Sequence, residues 1–182
     1  ILGPEMRSTG EVLGMAEDFA LSFYKSQEAA GADLPHAPTA WENKKVLISL
    51  SDKENEKDTV LFIGKTLQQL GFTLLATDGT ADFYNAHGIK CDVVNKIGAG
   101  RPDVLDSIMN KEVCLVINTP KAKRNYAEDR KTIRKACLKY KVAYITTLAG
   151  AKAAVQGIAS VKNGNGGEGG VKSLQDYHGM IK

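Results

Sequence analysis

Two threonines, an aspartate and a glycine follow an apolar run near the middle of the chain. Residues 72–76 are mostly β-forming, and Thr77, Asp78, Gly79 and Thr80 come directly after them. The pattern predicts a buried strand, a tight turn opened by Gly79 and the first turn of a helix. Two hydroxyls and unpaired backbone N–H groups at a helix N-terminus favour an anion. The alternative is a turn and a helix cap without a ligand, because Thr and Asp are common capping residues.

Cations, hydroxyls and amides also follow the other predicted strands. They are Ser49, Lys53 and Lys57 after the first strand, Asn95, Lys96 and Arg101 after the third, and Asn118, Thr119, Lys121, Lys123 and Arg124 after the fourth. In an open parallel sheet these loops share the edge at which ligands bind. Lys96 lies near Gly98 and Gly100, whose backbone N–H groups can approach a ligand closely. The mixture predicts a phosphate site, and the alternative is that these lysines and arginines are merely solvated loop residues.

A general base is harder to find in the sequence. His36, His87 and His178 are predicted in a linker, at a helix end and in the C-terminal tail, all on the surface. Asp78 is explained as a helix cap, and the acidic residues of 52–56 belong to a solvated loop. The chain has no Ser-His-Asp, Cys-His or metal-ligand spacing, and no Walker or dinucleotide motif. The sequence therefore predicts a pocket that binds a ligand, with no catalytic residue and no metal site.

The elements that would hold these loops alternate along the chain. Strands are predicted at 46–50, 72–76, 92–94, 113–117 and 142–145. Five helices are predicted between and after them: one at 57–70, a short one at 81–87, one that begins near 103, one that ends near 140 and one at 148–157. This alternation is typical of an α/β fold with an open, mainly parallel five-stranded sheet and helices on both faces. The strand at 113–117 is apolar throughout, as expected when both faces are covered.

Segments of different composition flank this predicted domain. Ser8 and Glu11 form a capping signal, and apolar residues at helical spacing predict a helix over 11–30. Residues 31–44 contain two prolines and are typical of a linker. The glycines of 164–170 predict a second, mobile linker. One or two helical turns are predicted at 173–178. The predicted divisions are 1–30 with its helix, the linker 31–44, the domain 45–158, and the tail 159–182.

Composition narrows the class of partner. The 182 residues are 43% hydrophobic and 25% charged, as in a globular domain. A net charge of +3 suits an anionic small molecule and is too small an excess to indicate nucleic acid. Cys91, Cys114 and Cys137 are predicted to be reduced core residues of a cytoplasmic protein. No apolar run approaches the ~18 residues that span a membrane. The start without methionine indicates a piece cut from a longer chain.

Several motifs resemble the large chain of carbamoyl-phosphate synthase. Residues 3–14 resemble the end of its second ATP-grasp half. Residues 45–157 resemble its C-terminal regulatory domain, which has the methylglyoxal-synthase-like, Rossmann-like fold. The residues that carry the second resemblance are 71–72, 76–80, 94–96, 100–102, 117–120, 133–134, 144 and 146–148.

The resemblance implies an allosteric domain of an ATP-dependent ligase that serves pyrimidine and arginine synthesis. Such a domain binds UMP or IMP as an effector, and ornithine at its boundary with the catalytic half. ATP, Mg²⁺ and K⁺ would belong to the parent enzyme, with no cofactor in this part. The implied partners are the rest of the large subunit, the glutaminase small subunit and further copies in a homo-oligomer.

The resemblance also implies roles for individual residues. The phosphate would meet Lys57, Thr77, Thr80 and Lys96, and Asn118 would help to hold the nucleotide. Ser49 is a further candidate, although the loop between it and Lys57 is longer than in the enteric pattern. Pro120 replaces a threonine of that pattern, so one hydroxyl is missing. The ornithine-side positions are Asp129, Tyr144 and Thr146.

Two other functions remain as alternatives. Methylglyoxal synthase shares this fold and needs an Asp in an Asp-Pro motif after the fourth strand. Here that place holds Asn118, Thr119 and Pro120, without a carboxylate. A phosphate-sugar lyase of this kind is one alternative, and a structural, oligomer-forming domain with an empty pocket is the other.

Overall fold

Strands and helices alternate through the part of the chain that the computed structural model describes, residues 10–39, 44–51, 53–119, 127–164 and 172–180. The helices are α1 (Phe19–Ala29), α2 (Lys57–Leu70), α3 (Asp78–Ala86), α4 (Val104–Met109), α5 (Ala127–Tyr140), α6 (Leu148–Lys162) and α7 (Leu174–Gly179). The strands are β1 (Lys45–Ser49), β2 (Thr73–Ala76), β3 (Cys91–Val93), β4 (Val113–Asn118) and β5 (Ala143–Ile145). The predicted five strands are confirmed, with ends that shift by at most one residue.

The five strands form one sheet in the order β3-β2-β1-β4-β5. All four neighbouring pairs are parallel, which confirms the predicted α/β fold class. From β1 the chain adds β2 and β3 on one side, and it then returns to place β4 on the other side of β1. The connections therefore diverge at the carboxyl ends of β1 and β4, where sheets of this kind leave a crevice for a ligand.

Apolar side chains cover both faces of the sheet. Successive strand residues point to opposite faces, so Val46 and Ile48 belong to one core cluster and Leu47 to the other. The first cluster includes residues of α1, α2, α3 and α6, and the second includes residues of α4 and α5. The predicted helices on both faces are therefore confirmed, and the cavity described below lies on the side of the second cluster.

The helix predicted over 11–30 is shorter than the sequence pattern suggested. It begins at Phe19, because Asp18 has an extended backbone and its carboxylate accepts the Leu21 N–H at 2.8 Å. An aspartate at this position satisfies one of the free N–H groups of the first turn and so fixes the start of the helix. Described residues 10–18 are not helical. The predicted cap residue Ser8 lies outside the described residues.

Helix α1 shares the core of the sheet domain. Tyr24 is buried, and its hydroxyl donates to the Leu34 carbonyl at 3.3 Å. A Cβ on Gly157 of α6 would lie 2.8 Å from the Ala20 carbonyl oxygen and 3.0 Å from Tyr24 Cβ, so glycine permits this close helix packing. The described part of the predicted linker thus holds a buried residue, Leu34, that packs into the core. The division into domains remains a prediction.

The C-terminal part returns to the N-terminal segment. Helix α6 continues past the predicted end at Gly157 to Lys162, and α7 confirms the helical turns predicted at 173–178. The Tyr177 hydroxyl donates to the Met15 carbonyl at 3.3 Å, and Lys172 pairs with Glu17. Most of the predicted glycine-rich linker lies outside the described residues. No helix in the described ranges has the length and apolar character needed to cross a membrane.

The three cysteines are free thiols, as predicted. Cys91 and Cys137 are buried, and Cys114 is half-buried. Burial raises the pKa of Cys91 and of Cys137 to about 12, and that of Cys114 to about 11. At neutral pH these thiols are therefore mainly protonated and are poor nucleophiles.

Candidate anion-binding site

A cavity of about 240 Å³ opens at the carboxyl ends of β1 and β4, in the crevice that the strand order creates. Apolar side chains form its inner part, and they are Leu47, Leu50, Ile97, Val104, Val116 and Ile133. Polar and charged residues complete the lining, and they are Ser49, Ser51, Lys53, Thr77, Gly79, Thr80, Lys96, Asn118, Thr119, Asp129 and Arg130. Such a cavity can hold a molecule with an apolar part and an anionic part.

The N-terminus of α3 forms one wall. The helix begins at Asp78, directly after Thr77, so the separate turn predicted at Gly79 is wrong. Thr77 takes the cap position with an extended backbone, and its side chain makes no capping hydrogen bond. Asp78 therefore lies in the first turn of the helix. The prediction from its residue type that Asp78 is the cap is wrong. This arrangement leaves the Thr77 hydroxyl at the cavity, beside the first backbone N–H groups of the helix.

Two threonine hydroxyls tie the loop after β1 to the neighbouring strands. Thr80 is only 2% exposed, and its Oγ1 accepts the Leu50 N–H at 3.2 Å. Thr119 Oγ1 accepts the Ser51 N–H at 3.2 Å in the same way. A hydroxyl has one hydrogen to donate, and neither threonine donates it to a described residue. Both hydroxyls can therefore donate to an anion in the cavity.

Asn118 supplies a buried amide at the tip of β4. It is 7% exposed, and its Nδ2 donates to the Tyr144 hydroxyl at 3.3 Å. Burial raises the pKa of the Tyr144 phenol, and the hydrogen bond from Asn118 opposes this rise. The Asn118 Oδ1 atom has no donor among the described residues, and the side chain lines the cavity. This oxygen can accept an O–H or N–H of a ligand, in addition to the anion that the threonines favour.

The charges at the cavity are mainly positive. Lys53, Lys96 and Arg130 contribute ammonium and guanidinium groups, and Asp129 contributes a carboxylate. The Lys53 Nζ atom lies 3.7 Å from the place where a Cβ on Gly79 would be, so this ammonium is next to the first turn of α3. Cations together with hydroxyl and backbone donors are the groups that bind phosphate.

The structure brings most of the predicted effector residues together. Ser49, Thr77, Thr80, Lys96 and Asn118 all line the cavity. Lys57, which opens α2, has an exposed side chain and does not line it. The binding roles of all six residues remain predictions.

The three predicted ornithine-side residues lie in different places. Asp129 lines the same cavity, and Tyr144 lies behind it against Asn118. Thr146 is exposed and is not part of the lining. Their common role remains a prediction.

Sequence reasoning missed two features of the cavity. Lys53 and Lys57 both follow β1, and the spacing alone gave no reason to prefer Lys53. The search of the sequence for a general base did not consider Asp129, which α5 brings to the cavity lining together with Arg130. The resemblance pointed to Asp129 only as an ornithine-side position and did not point to Arg130, since the placement of both depends on the direction in which α5 leaves the loop after β4.

The histidines lie away from the described cavity lining. His36 and His178 are exposed, as predicted. His87 was also predicted on the surface and is half-buried, with its ring centroid 4.6 Å from that of Phe83. Among the residues that the structure describes, no group of three or more His, Cys, Asp or Glu could hold a metal ion.

The fold and the cavity together define an α/β domain of the MGS-like class, and the family model for the MGS-like domain matches residues 59–146. The chain is 47% identical to the carbamoyl phosphate synthase large chain of Archaeoglobus fulgidus, over 98% of this chain and 16% of the relative. It is 46% identical to the corresponding C-terminal section of Methanopyrus kandleri, over 89% of this chain and 28% of the relative. It is 41% identical to the C-terminal section of the carbamoyl phosphate synthase large chain of Aquifex aeolicus, over 99% of this chain and 32% of the relative.

Residues 59–146 therefore carry an MGS-like domain. Nearly the whole chain is similar to part of the carbamoyl phosphate synthase large chain. The chain spans less than a third of the length of these relatives.

Proposed function

We propose that this chain is the regulatory part of a carbamoyl phosphate synthase large chain, and that its cavity binds a nucleotide monophosphate of the UMP or IMP type. The observation that carries the proposal is the cavity itself. Buried Thr80 and Asn118 present a hydroxyl hydrogen and an amide oxygen without described partners, in a cavity that Lys96 also lines. A phosphate can accept from the hydroxyl and the ammonium group, while a ribose hydroxyl or base N–H can donate to the amide oxygen.

The apolar inner part of the cavity supports a ligand larger than inorganic phosphate. Leu47, Val116 and Ile133 come from the two strands and the helix that enclose it. A base or sugar in contact with these side chains would remove apolar surface from water and add to the affinity from the phosphate contacts.

Regulation would follow from differential binding. An effector that favours one arrangement of this domain against the catalytic part changes activity by the difference between its two affinities. Residues 1–30, the tail of a preceding ATP-grasp domain in this proposal, would form the junction, with ornithine on the Tyr144 side. The further proposed partners are the glutaminase subunit and other copies of the chain, in the cytoplasm.

Replacing Lys96 with alanine tests the proposed site. The loss of one charge-assisted hydrogen bond to phosphate is expected to weaken UMP binding about tenfold or more. The measurement is calorimetric titration of the 182-residue chain. The matched control is Lys90→Ala, because Lys90 is also exposed but precedes β3, at the opposite edge of the sheet. Equal UMP affinity in the Lys96 and Lys90 variants would remove Lys96 from the site.

A second candidate function is favoured by one observation, the Asp129 carboxylate at the cavity. A phosphate-sugar lyase needs a base that removes a carbon-bound proton before phosphate leaves, and a carboxylate can do this. We expect no methylglyoxal when the chain is incubated with dihydroxyacetone phosphate. Formation of methylglyoxal that is lost in Asp129→Asn would establish the lyase in place of the effector site.

A further inference from the structure

We propose that a groove at the amino edge of the sheet binds a small zwitterion, whose carboxylate contacts two lysines and whose ammonium group contacts two acidic side chains. The lysines are Lys111 and Lys141, and the acidic residues are Glu28 and Asp33, all of which line the groove. This amino-edge groove is separate from the cavity at the carboxyl ends of β1 and β4, so the inference does not depend on the proposed function.

The amino-edge groove lies where three neighbouring strands begin. Lys44 and Val142 directly precede β1 and β5, Val113 is the first residue of β4, and all three line the groove. Its volume is about 680 Å³, and the buried side chains of Leu34 and Val113 contribute apolar surface. A groove of this size and lining can hold a small molecule that carries charged groups on a short aliphatic chain.

The backbone of the two lysines is the first argument. Lys111 lies between α4 and β4 with a φ of 58°, and Lys141 lies between α5 and β5 with a φ of 55°. A residue with a Cβ is strained in this left-handed region, and glycine takes it in the corresponding turns after α2 and α3, at Gly71 and Gly88. The helix dipole favours a lysine near these helix ends but does not require it at the left-handed position. Lysine where glycine would be unstrained therefore indicates a use for the two side chains.

The signs of the charges are the second argument. Lys111 and Lys141 precede β4 and β5, whereas Glu28 and Asp33 belong to the last turn of α1 and the segment after it. Within the described part of the chain, none of these four side chains forms an ion pair. The carboxylates would repel a dianion, and the lysines would repel a dication. A ligand with one group of each sign can pair with both sets.

Tyr24 lies beside the acidic side of the groove. Burial is the main reason that the pKa of its phenol is raised to about 12, and the charges of Glu28 and Asp33 contribute to this rise. Its hydroxyl lies 3.3 Å from the Leu34 carbonyl oxygen and 3.2 Å from Nδ1 of His36, which also lines the groove. The two carboxylates therefore act together on one place beside the groove, where their negative potential would stabilise an ammonium group.

NMR titration of the 182-residue chain with three zwitterions of increasing length, β-alanine, γ-aminobutyrate and ε-aminocaproate, tests the inference. We expect at least one of them to shift the backbone amide signals of Lys111 and Lys141 saturably, with a Kd of about millimolar. The signals of Thr77 and Lys96, at the other edge of the sheet, should not move. Caproate and hexylamine each carry one charge and should bind at least about threefold more weakly than ε-aminocaproate.

Glycine variants test the role of the two lysines. The double variant Lys111→Gly/Lys141→Gly removes both ammonium groups and suits the left-handed backbone. Its melting temperature should therefore stay within about 2 °C of the unchanged chain. Its affinity for the zwitterion that binds should fall about tenfold or more. The matched control is Lys135→Ala, since Lys135 is exposed on α5 outside the groove lining, and its affinity should change less than about twofold.

Several results would overturn the inference. One is the absence of saturable shifts in the groove with all three zwitterions, and another is equal affinity for caproate and ε-aminocaproate, which would show a simple anion site. Unchanged zwitterion affinity in the glycine double variant would remove the lysines from the site. A large fall in its melting temperature would show that the lysines serve the fold. The binding of UMP at the other edge is measured separately, so failure of either site leaves the other standing.

Discussion

Replacing Thr80 with valine is expected to lower the free energy of unfolding by about 1–3 kcal/mol, because the buried Leu50 N–H loses its acceptor. Valine has nearly the shape of threonine, so little packing is lost. The same change removes a hydroxyl donor from the cavity and should weaken UMP binding severalfold. Urea denaturation measures the first effect, and calorimetric titration under folding conditions measures the second.

The control for Thr80→Val is Thr132→Val on α5. The Thr132 hydroxyl is exposed and donates to the Glu128 carbonyl at 3.0 Å, so its loss should change stability by less than about 0.5 kcal/mol. Thr80→Ser keeps the hydroxyl and should retain most of the UMP affinity. Equal unfolding free energies for Thr80→Val and the unchanged chain would show that the hydrogen bond to Leu50 does not hold the loop.

The second large effect is expected from Tyr84→Ala, which should cost about 3–5 kcal/mol of stability. Tyr84 is fully buried, and its hydroxyl donates to the Val60 carbonyl at 3.1 Å. Its ring packs against Gly64 of α2, where an added Cβ would lie 2.4 Å from the ring atom Cε1. Tyr84 packs α3 against α2, so its loss should destabilise the packing of α3, whose first turn lines the cavity.

Gly64→Ala tests the same contact from the other side. A Cβ at this distance forces the ring to move, and overpacking of this kind costs about 1–3 kcal/mol. Leucine at position 84 is smaller than tyrosine. In the Tyr84→Leu variant, Gly64→Ala should therefore lower the free energy of unfolding by less than it does in the unchanged chain. Unfolding in urea gives all four free energies of the double-mutant cycle. Additive effects of the two changes would contradict the close approach of Gly64 and Tyr84.

Much of the fold could be predicted because its periodic patterns are strong. The apolar run of β4 and the amphipathic pattern of α2 each found the right element, and α2 even has the predicted ends, Lys57 and Leu70. The predicted start of α1 was wrong because capping signals occur at both Ser8 and Asp18, and the local sequence does not decide between them. The packing of Leu34 in the core also depends on contacts with distant elements.

The candidate site was predictable where a residue is fixed by a strand tip. Thr77 follows β2 directly, Thr80 lies in the next turn, and Asn118 ends β4, so strand positions alone place them at one edge. Lys53 and Lys57 are separated from β1 by a loop, whose path determines which side chain enters the cavity. For the same reason the residue pattern alone did not place Asp129, which reaches the cavity through the direction of α5.

Calorimetric titration of the unchanged 182-residue chain with UMP tests the central claim most directly. Three or four charge-assisted contacts, offset by the cost of association, predict saturable binding with a Kd between about micromolar and millimolar. One molecule should bind per chain, since one cavity joins the described tips of β1 and β4. Absence of binding at millimolar UMP would contradict a nucleotide site in this cavity.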